Sequence, residues 1–121
     1  MRKVLALDYG EKRVGVAVGW RGVVETRPVL CLSGKKLTAA LLKLCQEEEI
    51  GLILVGVSEG KMAEKSKRFA KRLENIIKLP VQMIDETLTT QQAKRIKKKG
   101  PVDSVAAALM LEDFFFRKEG R

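Results

Sequence analysis

A chain of 121 residues, 45% of them hydrophobic, can bury an ordinary core without disulfides or a structural metal. It has no histidine and only two cysteines, which excludes a four-ligand N/S zinc site and any triad or general base built on imidazole. Lys and Arg number 24 against 15 Asp and Glu, and this formal charge of +9 points to a polyanionic partner, nucleic acid ahead of a membrane surface.

The chain opens with Met1-Arg2-Lys3 and a strand-length apolar run, residues 4–7. That opening is too short for a signal peptide, and no apolar stretch approaches the roughly 20 residues of a membrane span. A cytoplasmic protein without membrane association is expected, with Cys31 and Cys45 as buried, reduced thiols. Run 4–7 is apolar throughout and suits a central strand buried on both faces. Turn residues from Asp8 to Lys12 follow, and Val14, Val16 and Val18 then alternate with Gly15 and Ala17, which completes a hairpin. Trp20-Arg21-Gly22 makes the next turn, and residues 23–32 read as a third strand.

The period then changes. Leu37, Leu41, Leu44, Cys45 and Glu48 follow helical spacing, and residues 52–57 return to a strand. Residues 63–77 form an amphipathic helix with Phe69, Ala70, Leu73, Ile76 and Ile77 as its apolar stripe. A fifth strand spans 81–84, a short helix 90–98, and Gly100-Pro101 breaks the latter. Residues 104–115 are apolar nearly all round and are expected to form a buried final helix. Strands that alternate with helices pair in parallel through crossovers. One domain over residues 1–121 is expected, with a mixed five-stranded α/β sheet, three antiparallel strands followed by parallel ones, and helices on its faces.

Three acidic positions punctuate this order: Asp8, the Asp85-Glu86 pair and Asp103. Carboxylates near a core are costly unless something pairs with them, and a converging trio pairs best with a divalent metal. If the first and fifth strands run the same way, Asp8 and Asp85-Glu86 share the carboxyl rim where open α/β sheets bind ligands, and a helix begins at Asp103. Local alternatives stay open: Asp8 as a turn residue, Asp85-Glu86 as a loop leading to a cap at Thr89 or Thr90, and Asp103 as an N-cap. Among the basic residues, Lys12 and Arg13 follow a glycine in a turn suited to phosphate. Lys61 follows Gly60 in a string that lacks the Gly-Lys-Ser/Thr ending of a Walker loop. Lys94, Arg95, Lys97, Lys98 and Lys99 stand just before Asp103. Such residues give affinity for a nucleic-acid backbone rather than sequence readout. Few aromatics argue against a base-stacking platform.

These residues also resemble a known family. Val4-Leu5-Ala6-Leu7-Asp8-Tyr9-Gly10 with Arg13-Val14-Gly15-Val16-Ala17-Val18 looks like the opening of the YqgF family. Leu54-Val55-Gly56, Phe69-Ala70-Lys71-Arg72-Leu73, Leu79-Pro80-Val81, Asp85-Glu86 with Leu88-Thr89-Thr90, and Val102-Asp103-Ser104-Val105-Ala106-Ala107-Ala108 extend the likeness along the chain. Members are small RNase H-like proteins named as pre-16S rRNA nucleases and, earlier, as Holliday junction resolvases. The resemblance implies an RNase H-like fold with Asp8, Glu86 and Asp103 as catalytic, metal-holding carboxylates, Asp85 as a supporting acid, and Mg²⁺ or Mn²⁺ as cofactor. The implied partner is structured RNA, pre-16S rRNA above all, with branched DNA as the rival. Junction resolution requires a dimer and rRNA trimming does not, so monomer and homodimer both stand open. A structured-RNA-binding module without hydrolysis is the reading from another class. An actin-like or sugar-kinase-like ATPase needs two such domains, and this chain supplies one. Three departures bear on substrate contacts: Gly56-Val57-Ser58 replaces Gly-Leu-Pro, Thr87 replaces the Arg that follows Asp-Glu, and the loops between Val57 and the next helix and before Asp103 are trimmed.

Overall fold

In the computed structural model, residues 2–10, 12–57, 61–85 and 102–119 are described. The elements are β1 (Lys3–Tyr9), β2 (Val14–Trp20), β3 (Val23–Leu30), α1 (Gly34–Glu47), β4 (Ile50–Val57), α2 (Lys61–Ile77), β5 (Val81–Asp85) and α3 (Val102–Glu119). The helix expected over 90–98 lies outside the described residues. The five strands form one mixed sheet in the order β3-β2-β1-β4-β5. The β1–β2 and β2–β3 pairs are antiparallel, and β1–β4 and β4–β5 are parallel. This is the α/β, RNase H-like sheet that the sequence suggests.

The continuous apolar run of β1 is explained by its central place. Leu5 and Leu7 face one core with Val14, Val16, Ile53 and Val55, closed by Leu37 and Leu41 of α1 and Phe69 and Leu73 of α2. Val4 and Ala6 face the other, with Ala17, Leu54 and Ala107, Met110 and Leu111 of α3. Alternate residues of a strand point to opposite faces, so one short run serves both layers. Between β2 and β3, Arg21 (φ 52°) and Gly22 (φ 82°) form a two-residue turn with both φ positive, the twist that hairpins favour.

Three expectations are corrected. The final helix is not buried all round: Ala107, Leu109, Met110 and Leu111 are buried, whereas Glu112 and Arg117 are exposed and Phe116 is 75% exposed. The sheet covers only one side of α3. Cys31 is exposed and Cys45 buried, because β3 ends at Leu30 and leaves Cys31 beyond the ladder. Burial pushes the Cys45 thiol up to about 11, which keeps it protonated and inert. Finally, β1 runs on to Tyr9, so Asp8 lies within the strand rather than in the turn after it.

Edge strand β3 is tied to the end of α1 by a two-pronged ion pair. Arg27 Nε donates to Glu48 Oε2 at 3.0 Å and Nη2 to Oε1 at 2.6 Å, with Lys3 Nζ 3.9 Å from Oε1. The Arg27 hydrogen bond holds the Glu48 carboxyl below its usual value against the opposing effect of burial. A lowered folded-state pKa stabilises fully above the unfolded value of about 4.3, and this contribution is lost as pH falls through the folded value. Glu48→Gln is therefore expected to cost about 1 kcal/mol at pH 7 and progressively less below pH 4, read from urea midpoints at each pH.

Candidate active site

Asp8 is half-buried, one residue before the end of the central strand. The alternation that sends Val4 and Ala6 toward α3 gives Asp8 the same face. Its neighbour Tyr9 points the other way, where its ring stacks on Phe69 of α2 at 4.2 Å and 16°. That stack pins the strand end and so orients Asp8.

The register places glycine on both sides of Asp8. Gly15 of β2 is its direct partner. On the other flank Leu7 pairs with Val55, so Gly56 is next in the row, and Gly56 itself pairs with Ile84 of β5. Neither neighbour carries a side chain, which leaves room beside the carboxylate for an ion and a phosphate. Sequence reasoning noted both glycines but missed this role; the signal is Gly15 set among valines and Gly56 closing an apolar strand.

β5 ends at the same rim. Asp85 is its last residue and pairs with Val57. Strands β1 and β5 are separated only by β4, about 10 Å at the usual spacing. The side chain of Asp85 is not described, and Glu86 lies outside the described residues. Asp103 is the second residue of α3, with its side chain likewise not described. Leu111 and Phe115 of α3 lie against Gly19, whose strand partner is Val4. The C-terminal half of α3 thus covers the rim opposite Asp8, and Asp103 precedes Phe115 by roughly 18 Å of helix. Among the described residues, no three acidic or sulfur side chains gather as a metal cage.

The turn after β1 is held by the Gly10 N–H, which donates to the Arg13 carbonyl at 2.9 Å, and Lys12 and Arg13 are exposed there. A Cβ on Gly10 would stand 2.8 Å from that same oxygen, a backbone atom that cannot swing aside. Gly10→Ala is expected to open the turn, costing about 1–3 kcal/mol of stability by overpacking and raising KM for a long substrate about tenfold. Denaturant unfolding and steady-state cleavage check the two parts. Lys61 opens α2, its side chain not described, and Lys94, Arg95, Lys97, Lys98 and Lys99 lie outside the described residues. A cavity of about 510 Å³ opens at the other end of the molecule, between Cys45, Ile50 and Ile77, well away from Asp8.

A family model described as RuvX, Holliday junction resolvase, matches residues 2–117. A protein of Buchnera aphidicola named "Putative pre-16S rRNA nuclease" is 35% identical over 130 residues, covering 93% of this chain and 95% of the relative. One of the same name from Mesorhizobium japonicum is 36% identical, covering 92% and 78%. Among solved structures, the chain resembles T. thermophilus RuvC in complex with Holliday junction substrate, with TM-score 0.68 and 13% identity over 99% of this chain and 97% of that one. It also resembles the Fowlpox virus resolvase bound to Holliday junction DNA, with TM-score 0.60 and 11% identity over 98% and 99%. At those identities the structures speak for the fold. The sequence match over nearly the whole chain speaks for descent, and the chain belongs to the RuvX family of nucleases.

Proposed function

We propose that this chain is a divalent-metal-dependent nuclease that trims the 5′ end of pre-16S rRNA in the cytoplasm, as one domain. The observation that carries the reading is Asp8 at the carboxyl rim of the central strand, between Gly15 and Gly56 and one strand removed from the end of β5. The names of the full-length relatives support the substrate. Among the described residues, no helix is long and apolar enough to cross a membrane.

In this reading Asp8, Glu86 and Asp103 hold the metal and Asp85 supports them. The donor set fits: hard carboxylate oxygens suit Mg²⁺ or Mn²⁺, and the glycine-flanked row leaves space for the ion. When bound, the metal supplies an activated water and charge stabilisation for in-line displacement at phosphorus. Lys12 and Arg13 hold the adjoining phosphates as exposed cations at the same rim. Lys61, Lys94, Arg95, Lys97, Lys98 and Lys99 contact the backbone on either side.

The family description and the junction-bound neighbours favour a second reading, four-way DNA junction cleavage by a homodimer. A labelled pre-16S 5′ leader and a labelled four-way junction, cut under single-turnover conditions in Mg²⁺ and in Mn²⁺, separate the two. The rRNA reading expects faster cleavage of the leader by protein that sediments as a monomer. Preferential cutting of the junction by a dimer would replace it, and binding without cutting would leave a structured-RNA-binding module.

A further inference from the structure

The outer face of α2 has a charge pattern that the core does not require. Phe69, Ala70 and Leu73 are buried against the sheet, while Lys65, Lys67, Arg68, Lys71 and Arg72 are exposed. Between Glu64 and Glu74 every ionisable residue is basic. Lys67 and Lys71, and likewise Arg68 and Arg72, stand four apart, where like charges repel by a few tenths of a kcal/mol per pair. Among the described residues, none of these four is held in an ion pair. Glu64 and Glu74 flank this run at helical spacing, but the face between them carries five positive charges, a concentration that suits an external polyanion.

The helix also lies in the right place. It opens soon after β4, whose carboxyl end is level with that of β1, and Phe69 in its third turn stacks on Tyr9, the neighbour of Asp8. Its other end, at Ile77, lines the same cavity as Ile50 at the start of β4. α2 packs on the face of the sheet opposite the one Asp8 takes, so its basic face starts level with the Asp8 rim but on the far side of the sheet, and descends from it over about 10 Å of helix.

We propose that the exposed face of α2 is a docking track for the phosphate backbone of a helical nucleic-acid arm leaving the cleavage rim. The proposal rests on the nuclease reading for its substrate. A second copy of this chain does not fit the face, since two such helices would bring like charges together. The track would read no sequence, because phosphate contacts position a duplex without distinguishing its bases. It would make long, structured substrates bind more tightly than short ones, with a steep dependence on salt.

The test compares two triple variants with the same loss of charge: Arg68, Lys71 and Arg72→Gln on α2, and Lys35, Lys36 and Lys43→Gln on α1. All six side chains are exposed, and circular dichroism checks folding. Affinity for a long labelled RNA duplex is measured by anisotropy in EDTA from about 50 to about 200 mM salt. The α2 triple is expected to lower the slope of log K against log salt by about 3, one per phosphate contact, and to weaken binding at least about tenfold. The α1 triple should change the slope by less than about 1. Equal loss in both triples would reveal only net charge, and no loss in the α2 triple would leave a solvated face; either overturns the track. Because binding is read without metal, these outcomes are independent of whether the protein cleaves, which Asp8→Asn decides separately.

Discussion

Asp8→Asn is expected to lower metal-dependent phosphodiester cleavage by at least about a thousandfold, roughly 4 kcal/mol of lost transition-state stabilisation. The exchange keeps the side-chain shape and removes the charge. Asp8 sits in the central strand with its backbone in the ladder opposite Gly15 and with Tyr9 stacked beside it, and none of that depends on a carboxylate. The strand pairing and the stack should therefore survive while activity collapses. Single-turnover cleavage in Mg²⁺ with parallel melting curves checks both halves. A variant that cuts at the wild-type rate would put the chemistry elsewhere.

The second large effect is expected far from the site. A Cβ on Gly19 would stand 2.6 Å from Cε2 and 3.0 Å from Cζ of Phe115, and 3.3 Å from Cδ1 of Leu111. Gly19 is thus where β2 lets α3 approach. Gly19→Val should cost about 1–3 kcal/mol through overpacking. It should also reduce cleavage, because α3 levered outward at Phe115 carries Asp103 at its other end. A displacement of about 1 Å at a reacting centre can cost on the order of a hundredfold in rate. Pairing Gly19→Val with Phe115→Leu should restore part of both losses, since contacting residues couple by about 0.5–3 kcal/mol. Urea unfolding and cleavage of the two single variants and the double measure that coupling. Independent, additive losses would show that Phe115 does not transmit the strain.

Much of the fold was legible because its signals are local. The run 4–7, apolar on both faces, is what a strand between two helical layers requires, and the stripe from Phe69 to Ile77 is what a helix on one face requires. The misreadings came where a residue's environment depends on distant parts of the chain. The phenylalanines of α3 suggested burial, yet nothing local says that, among the described residues, the sheet is the layer this helix packs on, and Phe116 is exposed. Cys31 followed an apolar strand and looked like its continuation, but the β2–β3 ladder ends with Val14 opposite Leu30.

The site divides in the same way. Asp8 was visible as a carboxylate closing an apolar run. That Gly15 and Gly56 lie on either side of it is a matter of cross-strand register, fixed by the packing of Ala6, Ala17 and Leu54 on one face. The basic residues of α2 were likewise plain in the sequence. Their relation to the Asp8 rim came only with the parallel pairing of β1 and β4 and the stacking of Phe69 on Tyr9.

Whether Asp8, Glu86 and Asp103 form one metal-holding group is decided by Mn²⁺ titration followed by electron paramagnetic resonance. Wild-type protein would be compared with Asp8→Asn, Glu86→Gln, Asp103→Asn and Asp85→Asn, each checked for folding. Each of the first three is expected to weaken Mn²⁺ binding by more than about tenfold, with Asp85→Asn having a smaller effect. Wild-type affinity in any of the first three would contradict that grouping.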